Sequence, residues 1–332
     1  LETRVLHQHL IERFRHLLRP PAADRTRHTP YALPAPRRSF PTRPAASPPA
    51  SERPRIGLAL GGGALRGAAH IGVLRVLEEE GIPIDLIAGT SAGALAGLLY
   101  ASGMSPCEME AMAHRLRFRQ IFRWTVPRMT LWDIGPMART LEHHVGKECL
   151  LEGLHIPLAC VAADARSGEA IALKHGPAIS AVQASCAIPM LVRPVVREGR
   201  TLLDGSVAQM VPARTAREMG ADLVIAAHMS GSKFMHTSPG NLMESLVHGV
   251  KMVSHRLCQS DLEHADIVIR AEMGMHRHHI SSIPAFIRAG EAAARDALPR
   301  IRAQLDQWHR RAERPEKWAA PSAYWTAEVT GG

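Results

Sequence analysis

IDLIAGTSAGALAGLLYASG, residues 84–103, is the stretch on which the fold turns. Its apolar run Ile84 to Ala88 has the length of a buried strand, and the small-residue run Ala92 to Ser102 after it reads as a helix ending at Gly103. Between them lies Gly89-Thr90-Ser91-Ala92-Gly93: strand, sharp turn, helix, with a serine at the turn. Glycines two before and two after let neighbouring backbone approach a strained corner, so the serine oxygen projects freely near a helix N-terminus. Gly89, Thr90, Ala92 and Gly93 thus read as a nucleophile elbow around Ser91.

A second element lies upstream. Gly61-Gly62-Gly63-Ala64-Leu65-Arg66-Gly67 succeeds the apolar run Ile56 to Leu60 and opens a segment, Ala68 to Glu80, with Ile71, Leu74 and Leu77 at helical spacing. Gly81 stands where a helix C′ glycine belongs. Backbone N–H groups in such a loop suit an anion, either a phosphate or the oxyanion formed when a serine attacks an ester carbonyl. A dinucleotide turn needs G-x-G-x-x-G, yet in the frame ending at Gly67 the second glycine is replaced by Ala64. A phosphate-binding P-loop needs a terminal Lys-Ser or Lys-Thr, which is absent.

The chain has 332 residues and a net charge of +9, unevenly spread. Residues 1–55 hold eleven Arg against four acids, whereas the remainder carries only +2. A nearly neutral domain argues against nucleic-acid binding. Five dispersed cysteines (Cys107, Cys149, Cys160, Cys186, Cys258), mostly in apolar segments, read as reduced thiols and imply a cytoplasmic protein. No secretory signal is recognised. The uncharged stretch 86–107 is interrupted by glycines and Pro106, against a membrane span.

Three regions are expected. Residues 1–54 combine a basic amphipathic helix (1–19) with a Pro/Arg-rich disordered linker; such a helix either contacts a membrane surface peripherally or docks on protein. Residues 55–308 form the catalytic domain, and 309–332 a C-terminal tail. Within the domain, strands at 55–60, 84–88, 156–163, 169–174, 201–203, 222–228 and 266–270 alternate with helices at 68–80, 92–102, 106–116, 135–146, 177–186, 212–219, 240–260 and 284–308. That alternation implies an α/β fold, a mainly parallel central sheet with helices on both faces, and ligands at the carboxyl ends of its strands. His276, His278 and His279 fit no compact zinc spacing and read as a solvated loop.

A serine hydroxyl needs a base. Leu202-Leu203-Asp204-Gly205-Ser206 places an acid after a short apolar strand, at a strand end expected on the Ser91 edge. On position alone Asp204 reads equally as that base or as a turn cap. Asp164 is a second such carboxylate.

Taken together, GGGALRG, HIGVLRVLEEEGIPID, GTSAG, ASCAIPMLVRPV and LLDGSVAQMVP, in that order, resemble the patatin-like phospholipase family, in particular its bacterial members and the catalytic domain of neuropathy-target-esterase-like lysophospholipases. The resemblance spans Arg55 to His228. It implies a three-layer fold similar to cytosolic phospholipase A2, no metal or other cofactor, and a phospholipid or lysophospholipid substrate. It further implies a Ser-Asp dyad acting through an acyl-enzyme, with Ser91 as nucleophile and Asp204 as base. Gly61, Gly62, Gly63 and Ala64 would form the oxyanion hole, with Arg66 beside it. Three departures stand out: Ala64 where glycine is frequent, tolerable if its φ is negative; Ser206 where Gly or Ala is usual; and Gln209 where Asn is common. Alternatives are a Ser-His-Asp esterase using His228 or His248, an acyltransferase, and a catalytically silent lipid-binding module.

Overall fold

A computed structural model describes residues 53–116, 118–121, 123–124, 132–230, 242–273 and 280–312. The segment expected as helix and linker up to residue 52, the histidines at 276, 278 and 279, and residues 313–332 lie outside the described residues.

Strand β1 (Ile56–Leu60) leads through the glycine loop and a 3-10 turn (Ala64–Ala68) into α1 (Ala69–Glu79), and β2 (Leu86–Thr90) leads into α2 (Ala92–Ala101). Then come α3 (Pro106–Arg115), α4 (Phe118–Ile121), a short hairpin of β3 (Arg123–Trp124) and β4 (Trp132–Asp133), and α5 (Gly135–Val145). Next are β5 (Leu158–Asp164), β6 (Ala170–Leu173), α6 (Ala178–Ser185), β7 (Val195–Arg197) and β8 (Arg200–Asp204). The chain continues with α7 (Ala213–Glu218), β9 (Leu223–Ser230), α8 (Leu242–Leu262), β10 (Ile267–Glu272) and α9 (Ile283–Ala312).

Local chemistry sets many of these limits. Gly81 ends α1 at φ 66°, with Ile82 N donating to Leu77 O at 2.9 Å, as a C′ glycine should. Ser105 and Glu108 form a reciprocal capping box for α3, with Pro106 at its first turn. Arg53 makes a bidentate pair with Asp85 (2.6 and 2.7 Å), whose carboxylate also receives the Ile56 amide at the start of β1. At the other end α9 continues to Ala312.

The central sheet runs β10-β9-β1-β2-β5-β8-β7, with β6 also on β5. From β10 to β5 all pairings are parallel. Both faces of this half are covered. Ile56, Leu58 and Leu60 of β1 and Ile87 of β2 join the larger core with Leu74, Leu98 and Phe286, while Ala59, Leu86 and Ala88 join Ala213, Ala216 and Cys258 in a smaller one. Burial on two sides explains why these strands read as continuous apolar runs, without polar alternation.

Beyond β5 the sheet departs from the expected direction. Strands β6 and β8 pair with β5 antiparallel, and β7 pairs with β8 antiparallel. Strand β7 and the β3–β4 hairpin are too short to leave a periodic signal. The register of β5 fixes where its neighbours meet. Strand β2 covers Leu158 to Val161, β6 covers Cys160 to Ala163, and β8 covers Ala162 to Asp164. Since β6 overlaps both of the others, β2 and β8 share the opposite side of β5. They run toward each other along it and meet where Thr90 pairs with Val161 and Asp204 with Ala162. Asp204 is therefore at the edge expected of it, although its strand arrives from the other direction.

Candidate active site

Ser91 occupies the N-cap of α2 at φ 54° and ψ −117°, a conformation rarely adopted by a non-glycine residue. Gly93 permits this corner: a β-carbon there would overlap the Leu60 carbonyl oxygen. The Ser91 amide donates to Ser185 Oγ at 2.8 Å, and the Ser185 hydroxyl in turn donates to the Val161 carbonyl at 2.5 Å. Thr90 Oγ1 donates to the Gln209 carbonyl at 2.9 Å, tying the elbow to the chain beyond β8. The ten-residue helix α2 presents its positive dipole end at this corner, which favours negative charge on a nearby oxygen.

Asp204 is 1% exposed, and the Ser91 hydroxyl lies near enough to favour its charged form. Burial pushes its pKa up, opposed by the Ser206 amide, which donates to Oδ1 at 2.8 Å, and by the Ser91 and Ser206 hydroxyls. Gly205 lets this turn rest on β5, since a β-carbon would overlap the Val161 carbonyl. Asp164, the other carboxylate considered, instead accepts from the Arg166 amide at 2.8 Å and pairs with Arg200 at 3.2 Å, so it organises the β5–β6 turn.

The glycine loop lies against Ser91 and against the turn that follows Asp204. A β-carbon placed on Gly62 would lie 3.6 Å from Ser91 Cβ and from Ser206 Cβ. The loop differs from the expected oxyanion hole in two respects. The Gly61 amide donates to Ala227 O at 3.0 Å and the Gly62 amide to Met210 O at 2.9 Å, so both are committed to holding the loop. Among the described residues, the amides of Gly63 and Ala64 have no acceptor. Ala64 also has φ 50°, so the condition of a negative φ is not met and it carries the left-handed strain that glycine would avoid. Arg66 braces the loop through Nε, 3.4 Å from Gly63 O, and burial lowers its pKa.

Four neighbouring residues escaped individual reading from the sequence. Ser185 is one. His70, fully buried, donates through Nε2 to the Gly61 carbonyl at 2.7 Å, and burial lowers its pKa to about 4, so it clamps the loop as a neutral ring. Cys186 lies beside Ser91 and Asp204, and burial pushes its thiol well up, with the Asp204 charge acting in the same direction. Asp261 of α8 receives the Val211 amide at 3.1 Å, adjacent to the carbonyl that holds Gly62. Ser185 and Cys186 were visible within ASCAIP and His70 before IGVL, but as motif members without roles. Gln209 is fully enclosed, its Oε1 accepting from Thr215 Oγ1 at 2.6 Å. His228 turns toward α8, with Nδ1 3.4 Å from Cys258 Sγ; the His248 side chain is outside the described residues.

The family model described as patatin-like phospholipase matches residues 58–217. An uncharacterised NTE family protein of Mycobacterium tuberculosis is 36% identical over 185 residues, 55% of this chain and 51% of that protein. Patatin-like phospholipase domain-containing protein 6 of Homo sapiens is 34% identical over 179 residues, 52% of this chain and 13% of that protein. Lysophospholipase NTE1 of Mycosarcoma maydis is 34% identical over 176 residues, 52% of this chain and 9% of that protein. The chain thus spans about half the length of the mycobacterial relatives and a small fraction of the others. A crystal structure of VipD from Legionella pneumophila has a TM-score of 0.45 and 14% identity, covering 75% of this chain and 67% of that one. Residues 58–217 of this chain, which include Ser91 and Asp204, form a patatin-like phospholipase domain.

Proposed function

We propose that this protein is a serine acyl hydrolase that cleaves carboxylic esters of phospholipids or lysophospholipids through a Ser91–Asp204 dyad. One observation carries the reading: β2 and β8 end against each other on β5, with Ser91 following the end of β2 and the buried Asp204 carboxylate ending β8. In the forward step Asp204 takes the Ser91 proton as Oγ attacks the ester carbonyl. The amides of Gly63 and Ala64 then receive the developing oxyanion, aided by the α2 dipole. Collapse breaks the ester bond, and the leaving alcohol takes the proton from Asp204. Water, deprotonated by the same carboxylate, attacks the acyl-serine; the fatty acid departs and Ser91 regains its proton. A raised pKa makes Asp204 a stronger proton acceptor than an ordinary carboxylate, which suits a dyad lacking an imidazole.

The names of the relatives, a lysophospholipase and a phospholipase-domain protein, support a lipid ester as substrate. A fluorophosphonate probe, together with fatty-acid release from phosphatidylcholine and lysophosphatidylcholine, tests the reading. Wild type should be labelled and release fatty acid, whereas Ser91→Ala should do neither. Equal labelling of the two proteins sinks the proposal.

A further inference from the structure

We infer that the edge of the sheet bearing Ser91 is a docking face for an anionic lipid bilayer, formed by exposed apolar side chains from three separate elements around the site. The occupant is inferred partly from the lipid-ester reading above. Among the described residues the exposed large hydrophobics are Leu150, Met190, Val196, Met252 and Val253. Four of these belong to elements at this one edge.

Met190 is 39% exposed at φ 67°, on the loop whose Ala187 carbonyl receives the Asp204 amide at 2.9 Å. Val196, 72% exposed, pairs with Thr201 in the β7–β8 hairpin, three residues along β8 from Asp204 and past the last residue of β5. The hairpin therefore projects beyond the edge. Met252 and Val253, 47% and 57% exposed, belong to α8. Cys258 of that helix lies beside His228, whereas the amide of Asp266, after the helix, donates to Val224 O at 3.0 Å, so α8 runs opposite to β9. At about 1.5 Å per residue, Met252 is roughly 9 Å further along the helix than Cys258. The two strand residues left after His228 add only about 7 Å. This half of α8 consequently reaches past the strand ends, on the side where the helix packs over the Gly205–Val207 turn.

Charge selects the partner. Arg166, Arg193 and Arg256 are exposed on the same elements or the adjoining β5–β6 turn, and none has a carboxylate partner among the described residues. Of the acids at this edge, Asp164 pairs with Arg200 and Glu198 with Arg197, while the exposed Glu169 of the β5–β6 turn accepts from the Ser167 hydroxyl and offsets one of these guanidinium groups. Apolar residues interspersed with unpaired guanidinium groups match the interfacial region of an anionic bilayer, where area burial and charge attraction add. No helix among the described residues is long and apolar enough to cross a membrane.

The full chain should be tested by cosedimentation with vesicles of phosphatidylcholine, alone or mixed with phosphatidylglycerol. Wild type is expected to bind the mixed vesicles, more weakly as salt is added. The combined variant M190S/V196S/M252S/V253S should bind about tenfold less or worse, with an unchanged circular dichroism spectrum and unchanged hydrolysis of a soluble short-chain ester. R166Q/R193Q/R256Q should lose the preference for the mixed vesicles. Ser91→Ala should bind as wild type, so failure of the catalytic reading and failure of the docking face are distinguished. Undiminished vesicle binding by the quadruple variant overturns the inference. So does self-association of wild type, abolished in that variant, without vesicle binding.

Discussion

The five parallel strands and the antiparallel arm attached to them make a telling contrast. The parallel half is buried on both faces and contributes to the site only where strands end, at Ser91 and at the glycine loop. The arm, β6, β7 and β8, is short and partly exposed, yet it delivers the buried carboxylate. A rigid platform thus holds the serine at a strained turn, while a thinner returning arm sets how close the acid comes. Stability and the alignment of the proposed dyad thus fall to different parts of one sheet. Platform changes should therefore cost the fold, and changes at the seam should cost mainly the alignment.

The largest expected effect is at the seam itself. Ser91→Ala and Asp204→Asn should each lower ester hydrolysis by about 10⁴–10⁶-fold while leaving circular dichroism intact; substantial turnover in either would dissolve the proposed dyad. Gly205→Ala comes next. Its new β-carbon meets the Val161 carbonyl, and the arm should yield before the platform, lowering activity by about 10²-fold. Gly93→Ala, by contrast, sets a β-carbon against Leu60 within the platform and should destabilise by about 3 kcal/mol or more in urea denaturation. If Gly205→Ala proves the less stable of the pair, the division between arm and platform is wrong.

Proton linkage gives a smaller, signed effect. The folded pKa of Asp204 is raised, so its protonated form is favoured by folding. Its contribution to stability is fully present below the unfolded carboxylate value and is lost as pH rises through the folded pKa. Activity runs the opposite way and should fall as pH drops through that same value. Asp204→Asn should accordingly raise the melting temperature at neutral pH by about 2–4 °C while abolishing turnover; a lower melting temperature would contradict the burial argument. Smallest of all, Ala64→Gly should relieve the left-handed strain and stabilise by about 1 kcal/mol or less, measurable by denaturant titration.

Much of the platform could be read in advance. The expected strands at 84–88 and 222–228 and the helices at 92–102 and 135–146 lie within two residues of the observed limits at most ends. Continuous apolar runs, Gly81 and Gly103 are local signals, and local interactions determine those limits. The arm was less legible. β7 has three residues and β8 five, too few to reveal direction, and the expectation that Asp204 shares an edge with Ser91 was met by a strand running the other way. Ser185, His70 and Asp261 were missed as supports because each acts on a backbone group distant in sequence, for which no spacing rule exists.

Sequence alone was sufficient to determine the strand–turn–helix around Ser91, because apolar runs and flanking glycines impose that geometry within a few residues. Only the tertiary structure decided that Asp204 meets Ser91 along one side of β5, and that Gly61 and Gly62 spend their amides on Ala227 and Met210 while Gly63 and Ala64 do not. Those outcomes depend on register and hydrogen-bond pairing between segments far apart in the chain, which no local pattern of residues specifies.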